Sequence, residues 1–328
     1  MPARAYELAL ARLPSHARDA GVSAFGSLRA LESVLNETRV QRLTTLHGRL
    51  TLRLASWSSD SSVAHLRHAM RNDTYDVHYF EREHKTDGVV VDVGANLGYF
   101  SLVMAKLYPR MRIIGVEPSP PTYFFFVLNL HLNSVRVLSQ SAFCAASSPP
   151  GVLPLHAALG TDASANRSSV TFRYPVRGDS QLAVVATAGA DLLAGWREQR
   201  VRLTHLPSFL DGCGVRRLRV LKTDCEGCEW TLLPTLGEWL TPPVETPGIK
   251  MRFWRWPSLL HPYRPRIERL VGELHHGASL DAARPGKKVA ASSRWRGPEA
   301  AHVFATVRVL VQRGCPLGAP GQVGLSPC

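Results

Sequence analysis

The clearest chemical signal in the chain is the segment Asp92-Val93-Gly94-Ala95-Asn96-Leu97-Gly98, which directly follows a β-branched apolar run. Glycines immediately beyond a strand allow a tight turn and let a small ligand approach the backbone at the strand's carboxyl end. The spacing is tighter than that of GxGxxG, whose three glycines accommodate a pyrophosphate at a helix N-terminus. A ligand with no phosphate but with an ammonium, a carboxylate and a sulfonium, as in S-adenosylmethionine, suits an acid placed just before such a turn. Asp92 is therefore expected to meet the ammonium directly or through water, with Gly94, Asn96 and Gly98 forming the turn around it. Glu117 ends the next apolar run, where a carboxylate can accept hydrogen bonds from both ribose hydroxyls. Dehydrogenases also place an acid there, so Glu117 alone does not discriminate; turn and acid together favour the sulfonium nucleoside over a nicotinamide.

Two further positions could act on a bound molecule. Asp224 falls at the carboxyl edge of a later strand, where ligands of open α/β sheets bind, and could orient a sulfonium or help deprotonate a hydroxyl. His275 ends another strand, and its near-neutral pKa makes it a natural general base. Its neighbour His276 should face the opposite side of that strand. No metal site is expected. Cys225-Glu226-Gly227-Cys228 reads formally as CxxC, either a redox pair or half of a zinc site, but no second pair completes four ligands. Six cysteines in 328 residues are too dilute for a disulfide scaffold, so reduced thiols are the expectation.

The elements that must position these residues alternate regularly. Gly88 to Gly94 reads as a strand buried on both faces, Asn96 to Leu107 as a helix, Arg112 to Pro118 as a second strand, and Pro120 to about Asn133 as a second helix. A Ser/Ala/Pro-rich loop, Ser139 to Pro150, precedes a third strand at Val152 to Ala158, and the polar stretch Gly160 to Arg177 suggests a hairpin or exposed loop. Leu218 to Asp224 is a fourth strand, followed by a helix holding Trp230, Leu232 and Leu233; Arg269 to His275 is the fifth. This order predicts an α/β fold with a doubly wound, Rossmann-like, mostly parallel sheet. Residues 1–80 read as an N-terminal helical extension, from the spacing of Leu28, Leu31, Val34 and Leu35. Residues 81–328 form the main domain, with a Trp/Pro-rich insertion at about 241–265 that suits a lid and holds Phe253, Trp254 and Trp256. Helical periodicity resumes from Ala300 to Gln312.

Composition sets the remaining bounds. No apolar stretch approaches the length needed to span a bilayer, and the N-terminus lacks the pattern of a secretory signal, so a cytoplasmic location is the default expectation. The formal net charge of +13 raises the question of a polyanionic partner. The arginines are scattered and lack aromatic interleaving, which argues against nucleic acid. The sequons at Asn36, Asn72 and Asn166 are short motifs that arise by chance.

Three segments, VVVDVGANLGYFSL from Val89, IIGVEPSPPTYFFFVLNLHLN from Ile113 and LKTDCEGCEWTLLP from Leu221, together resemble the FkbM-type methyltransferases. The last resembles that family's K-x-D-x-E-G-x-E element. The resemblance spans about Val89 to His275. It implies a class I methyltransferase sheet, S-adenosyl-L-methionine as cofactor, and methyl transfer to a hydroxyl of a sugar or other small-molecule acceptor. It further implies that Ala158, Leu159, Thr161 and Asp162 correspond to a short alanine-to-aspartate stretch bordering the adenine. Lys222, Asp224, Glu226 and Glu229 match the acidic element, and Glu273 with His275 is similar to an E-x-H element. Glu226 or Glu229 could equally cap the following helix. The family's sheet ends in an antiparallel hairpin, whereas Cys315 onward is a Gly/Pro/Ser tail, so that strand pair is expected to be incomplete. An RNA or protein methyltransferase, and a binding protein without turnover, remain as alternatives.

Overall fold

The computed structural model describes residues 10–44, 50–58, 60, 62–72, 75, 77, 86–160, 168–175, 184–185, 194–225, 228, 232, 235–236, 267 and 270–272. Its centre is a five-stranded parallel sheet. β3 (Asp87–Val93) lies in the middle, flanked by β4 (Arg110–Val116) and then β5 (Gly151–Leu155) on one side, and by β10 (Val220–Thr223) and then β11 (Leu270–Gly272) on the other. The chain winds outward from β3 to β5 and then returns to the far side of β3. The order therefore reverses between β3 and β10, the point at which open α/β sheets bind ligands beyond their carboxyl ends. The expected Rossmann-like architecture is thus present.

The period-2 alternation of each strand feeds two separate cores. Val90, Ile113, Val152 and Val220 point to the face covered by α4 (Tyr99–Leu107) and α5 (Pro120–Leu132). Val89, Val91, Ile114, Leu153 and Leu221 point to the opposite face, covered by α6 (Gln140–Cys144) and α7 (Leu206–Gly212). Burial on both sides explains why these strands read as continuous apolar runs.

The N-terminal region is more than helical. α1 (Ser15–Phe25) and α2 (Leu28–Glu37) are followed by a hairpin of β1 (Thr38–Thr44) and β2 (Thr51–Trp57), and then α3 (Ser62–Asn72). In α2, Leu31, Val34 and Leu35 are buried as their spacing predicts, while Leu28 is 49% exposed. The strands escape a helical expectation because their apolar residues alternate, as in Leu52 and Leu54, and the flanking threonines favour extended backbone. The free edge of β2 is covered by a helix rather than a strand. From α5, Asn129 Oδ1 accepts from Ala55 N at 2.6 Å and its Nδ2 donates to Ala55 O at 3.1 Å. One turn later Asn133 repeats the pattern on Arg53, at 2.9 and 2.7 Å. Two asparagines four residues apart thus supply the hydrogen bonds of a missing strand and cap a sheet edge.

A second sheet is set beside the first: β6 (Ala158–Leu159), β9 (Trp196–Thr204), β7 (Ser169–Pro175) and β8 (Val184–Val185), in that order. The expected third strand therefore stops at Leu155, and Ala158 belongs to this second sheet. Within the loop expected at Ser139 to Pro150, a serine N-cap starts α6, Ser139 Oγ accepting from Ala142 N.

The reduced thiols expected from composition are corrected by two bonded pairs, Cys144 with Cys213 and Cys225 with Cys228. Cys144 ends α6 and Cys213 caps α7, two helices packed on the same face, which brings residues 69 apart in sequence together. The insertion at 241–265, the helix expected at Ala300–Gln312, the C-terminal tail, and Asp162, Glu226, Glu229, Glu273, His275 and His276 all lie outside the described residues.

Asn129→Ala should leave Ala55 N–H, Ala55 C=O and Leu97 C=O without their side-chain partner inside the fold. A loss of about 2–4 kcal/mol in denaturant unfolding is expected, since unsatisfied buried polar groups cost about 1–3 kcal/mol each. A change below about 0.5 kcal/mol would show that the asparagine ladder does not hold the hairpin.

Candidate active site at the sheet's carboxyl edge

The site is built on one row of residues across the sheet. Register aligns Lys222 of β10 with Asp92 of β3, and Asp92 with Gly115 of β4. A Cβ at Gly115 would lie 2.4 Å from the Phe126 ring and 3.0 Å from Ser101 Oγ, so glycine there makes room for α4 and α5 to close over the row. Asp92 is fully buried. Its Oδ2 accepts from Ser101 N at 3.1 Å and Ser101 Oγ at 2.7 Å, and Lys222 Nζ stands 3.1 Å from Oδ1. The Lys222 ammonium also donates to Gly94 O at 2.7 Å and Val93 O at 3.3 Å, and lies 3.8 Å from Asp224 Oδ2. Burial alone would lower the Lys222 pKa, but Asp92 and Asp224, with a smaller contribution from Glu117, outweigh it and raise the value, so the ammonium stays charged.

Above this row the turn takes its shape from backbone constraints. Gly94 has φ +70°, and its N–H and that of Ala95 both donate to Val116 O. A Cβ at Gly94 would fall 1.9 Å from the Asp224 carbonyl oxygen, so the loops after β3 and β10 touch at this glycine. Gly98 has φ +82° and would press a Cβ against Phe126 at 2.1 Å. Asn96, at φ 52°, is a residue type that tolerates the left-handed region, and its Oδ1 accepts from Leu97 N at 2.6 Å. The three turn residues singled out from sequence, Gly94, Asn96 and Gly98, thus follow directly on the strand that carries Asp92.

Glu117 closes the other side of the turn. Its Oε2 accepts from Asn96 N at 2.9 Å and its Oε1 from Ser119 N at 2.8 Å, while its own N–H donates to Leu155 O. Burial pushes its carboxyl up to about 7, against the opposing effects of the two N–H donors and of Lys222. Just beyond, His156 Nε2 lies 3.1 Å from Pro118 O and its ring stacks on Tyr123 at 4.7 Å; burial lowers its pKa. Ala158 is buried a short way past β5. Asp224 keeps 21% side-chain exposure, in contrast to Asp92 at 0%.

Asp92, expected to face a ligand, instead turns its carboxylate under the turn and towards α4. Asp224 is the more accessible acid. Sequence reasoning missed Ser101, Ser119 and Tyr75, whose hydroxyl donates to Asp224. A serine in a helix or a lone tyrosine in a polar stretch carries no local signal of its partner. The groove beside the Cys144–Cys213 bridge, lined by Arg202, His205 and Phe209, contains none of these residues.

Comparison with known proteins supports a methyltransferase. The chain is 28% identical over 204 residues to a protein of Sordaria araneosa named "Methyltransferase sdnD", covering 59% of this chain and 75% of that one. It is 28% identical over 164 residues to "Methyltransferase 1" of Beauveria bassiana, covering 46% and 59%. A 52-residue stretch is 43% identical to a tRNA(Phe) (4-demethylwyosine(37)-C(7)) aminocarboxypropyltransferase of Pyrococcus horikoshii, covering 16% and 18%. No protein-family profile and no solved structure matches the chain. Among the described residues no helix is long and apolar enough to cross a membrane, and no cluster of His, Cys, Asp or Glu could hold a metal ion.

Glu117 makes stability depend on pH. A carboxyl whose pKa rises from 4.5 to about 7 on folding binds its proton more tightly in the folded state, so it favours folding increasingly as pH falls from about 7 towards 4.5. Denaturant unfolding of the unliganded protein from pH 5 to 8 should show this as a difference between wild type and Glu117→Gln of up to roughly 3 kcal/mol across the window. Parallel curves for the two proteins would refute the raised value.

Proposed function

We propose that the chain is an S-adenosylmethionine-dependent methyltransferase of the FkbM type that methylates a hydroxyl of a sugar or other small-molecule acceptor. The observation that carries this is the combination of a glycine turn with no room for a Cβ at Gly94 and a buried carboxylate, Glu117, held against that turn by Asn96 N. The donor set fits such a cofactor. Each Glu117 oxygen has one backbone N–H partner shown and capacity for a second donor, which suits a pair of ribose hydroxyls. The edge around Asp224 is anionic, because Lys222 faces both Asp92 and Asp224, and this suits a cationic methionine end.

In this assignment S-adenosylmethionine supplies an activated methyl group on its sulfonium. Gly94, Asn96 and Gly98 shape the backbone against its methionine portion, Asp224 faces the positive charge, and Glu117 orients the ribose. Asp92 acts from beneath, holding Lys222 and the start of α4. Ala158 and Asp162 border the adenine, and Glu273 with His275 receives and removes the acceptor hydroxyl's proton. Alignment of oxygen, methyl and sulfur supplies most of the acceleration. A second proposal, an RNA acceptor, is favoured by the charge of +13 and by the short match to a relative named for tRNA(Phe). It predicts RNA binding that weakens steeply with added salt.

Calorimetric titration with S-adenosylmethionine tests the cofactor assignment. Wild type should bind one equivalent, and Glu117→Ala should bind about tenfold to a hundredfold more weakly while keeping its circular dichroism, because hydrogen bonds to a charged group contribute about 1.5–3 kcal/mol. Folded wild type that binds nothing would overturn the proposal.

A further inference from the structure

Tyr75 lies in the N-terminal region, ahead of every strand of the main sheet, yet its hydroxyl donates to Asp224 Oδ2 across 149 residues of sequence. We infer that Tyr75 is a positioning residue of the cofactor site, holding the Asp224 carboxylate aimed at the methionine end; this rests on the cofactor assignment proposed above. Two ring contacts hold the tyrosine independently of that hydrogen bond, and a third bond holds Val77 nearby. Its ring meets Phe100 of α4 edge-on, with centroids 5.6 Å apart and planes at 74°. The Lys222 ammonium lies 5.5 Å from its ring centroid, and two residues later Val77 O accepts from Tyr108 Oη, pinning this stretch of chain to the end of α4. Tyr75 is only 9% exposed, whereas Asp224 keeps 21% side-chain exposure. The N-terminal region thus contributes a buried donor to Asp224, the more exposed of the two acids that face Lys222.

Donation from the hydroxyl and the ammonium of Lys222 converge on the same oxygen, Oδ2. Tyr75→Phe keeps the ring and its contacts but removes the donor, so Asp224 loses the bond that ties it to the N-terminal region.

Binding of S-adenosylmethionine, of S-adenosylhomocysteine and of 5′-methylthioadenosine, which lacks the amino-acid portion, would be measured by calorimetry on wild type, Tyr75→Phe and Asp224→Asn. We expect Tyr75→Phe to bind the first two about tenfold more weakly, the size of a lost hydrogen bond to a charged group, and to bind 5′-methylthioadenosine as wild type does. Asp224→Asn should show the same pattern with a larger loss. A Tyr75→Phe protein that matches wild type for all three compounds, or that loses affinity equally for all three, would overturn the inference and leave the cofactor assignment standing. Failure of wild type to bind S-adenosylmethionine or S-adenosylhomocysteine would remove both.

Discussion

The structure turns on a buried ammonium. Lys222 is almost wholly removed from water, a state that would be costly without compensation, and it is compensated by the fully buried Asp92, by Asp224 and by the carbonyls of Val93 and Gly94. One charge thereby ties β10 to β3 at the point where the strand order reverses, and draws together the two loops that leave those strands. The close approach of Gly94 to the Asp224 carbonyl is the backbone expression of the same constraint. Neither loop can be placed without the other.

Support for this arrangement comes from the far side of α5. Asn129 holds the backbone of Ala55 in the N-terminal hairpin and also donates to Leu97 O, inside the glycine turn itself, at 2.9 Å. Phe126, one turn earlier on the same helix, packs against the positions of both Gly98 and Gly115. A single helix face thus connects the N-terminal hairpin, the turn and the central row. The aromatic packing of Phe25, Trp57, Phe124 and Phe125 fills the space between these elements. The N-terminal region is part of the same core as α4 and α5, and through Tyr75 it reaches the site.

What could be read from sequence was what local pattern encodes. β3, β4 and β10 stand out because burial on both faces demands continuous apolar runs, and the turn stands out because Gly94 and Gly98 adopt conformations that other residues rarely take. Glu117 was legible from its place at a strand's end. Features that depend on distant partners were not legible. The hairpin of β1 and β2 needs Asn129 and Asn133 to complete its edge, and the Cys144–Cys213 bridge needs two helices brought together. Asp92 was placed correctly at the turn, but only the register between β3 and β10 shows that its carboxylate faces Lys222. Ala158 lost its place in the third strand because it pairs with Leu203 of β9, a partner distant in sequence.

The central claim is that the carboxyl edge of the sheet beside the Gly94 turn, bounded by Glu117 and Asp224, holds a sulfonium nucleoside. A crystal structure of the protein grown with S-adenosylhomocysteine tests it most directly. The prediction is a ligand whose ribose hydroxyls lie within hydrogen-bonding distance of Glu117 and whose amino group lies beside Asp224, with Asp92 still buried against Lys222. Ligand bound instead in the groove beside the Cys144–Cys213 bridge, or a carboxyl edge left empty at saturating ligand, would contradict it.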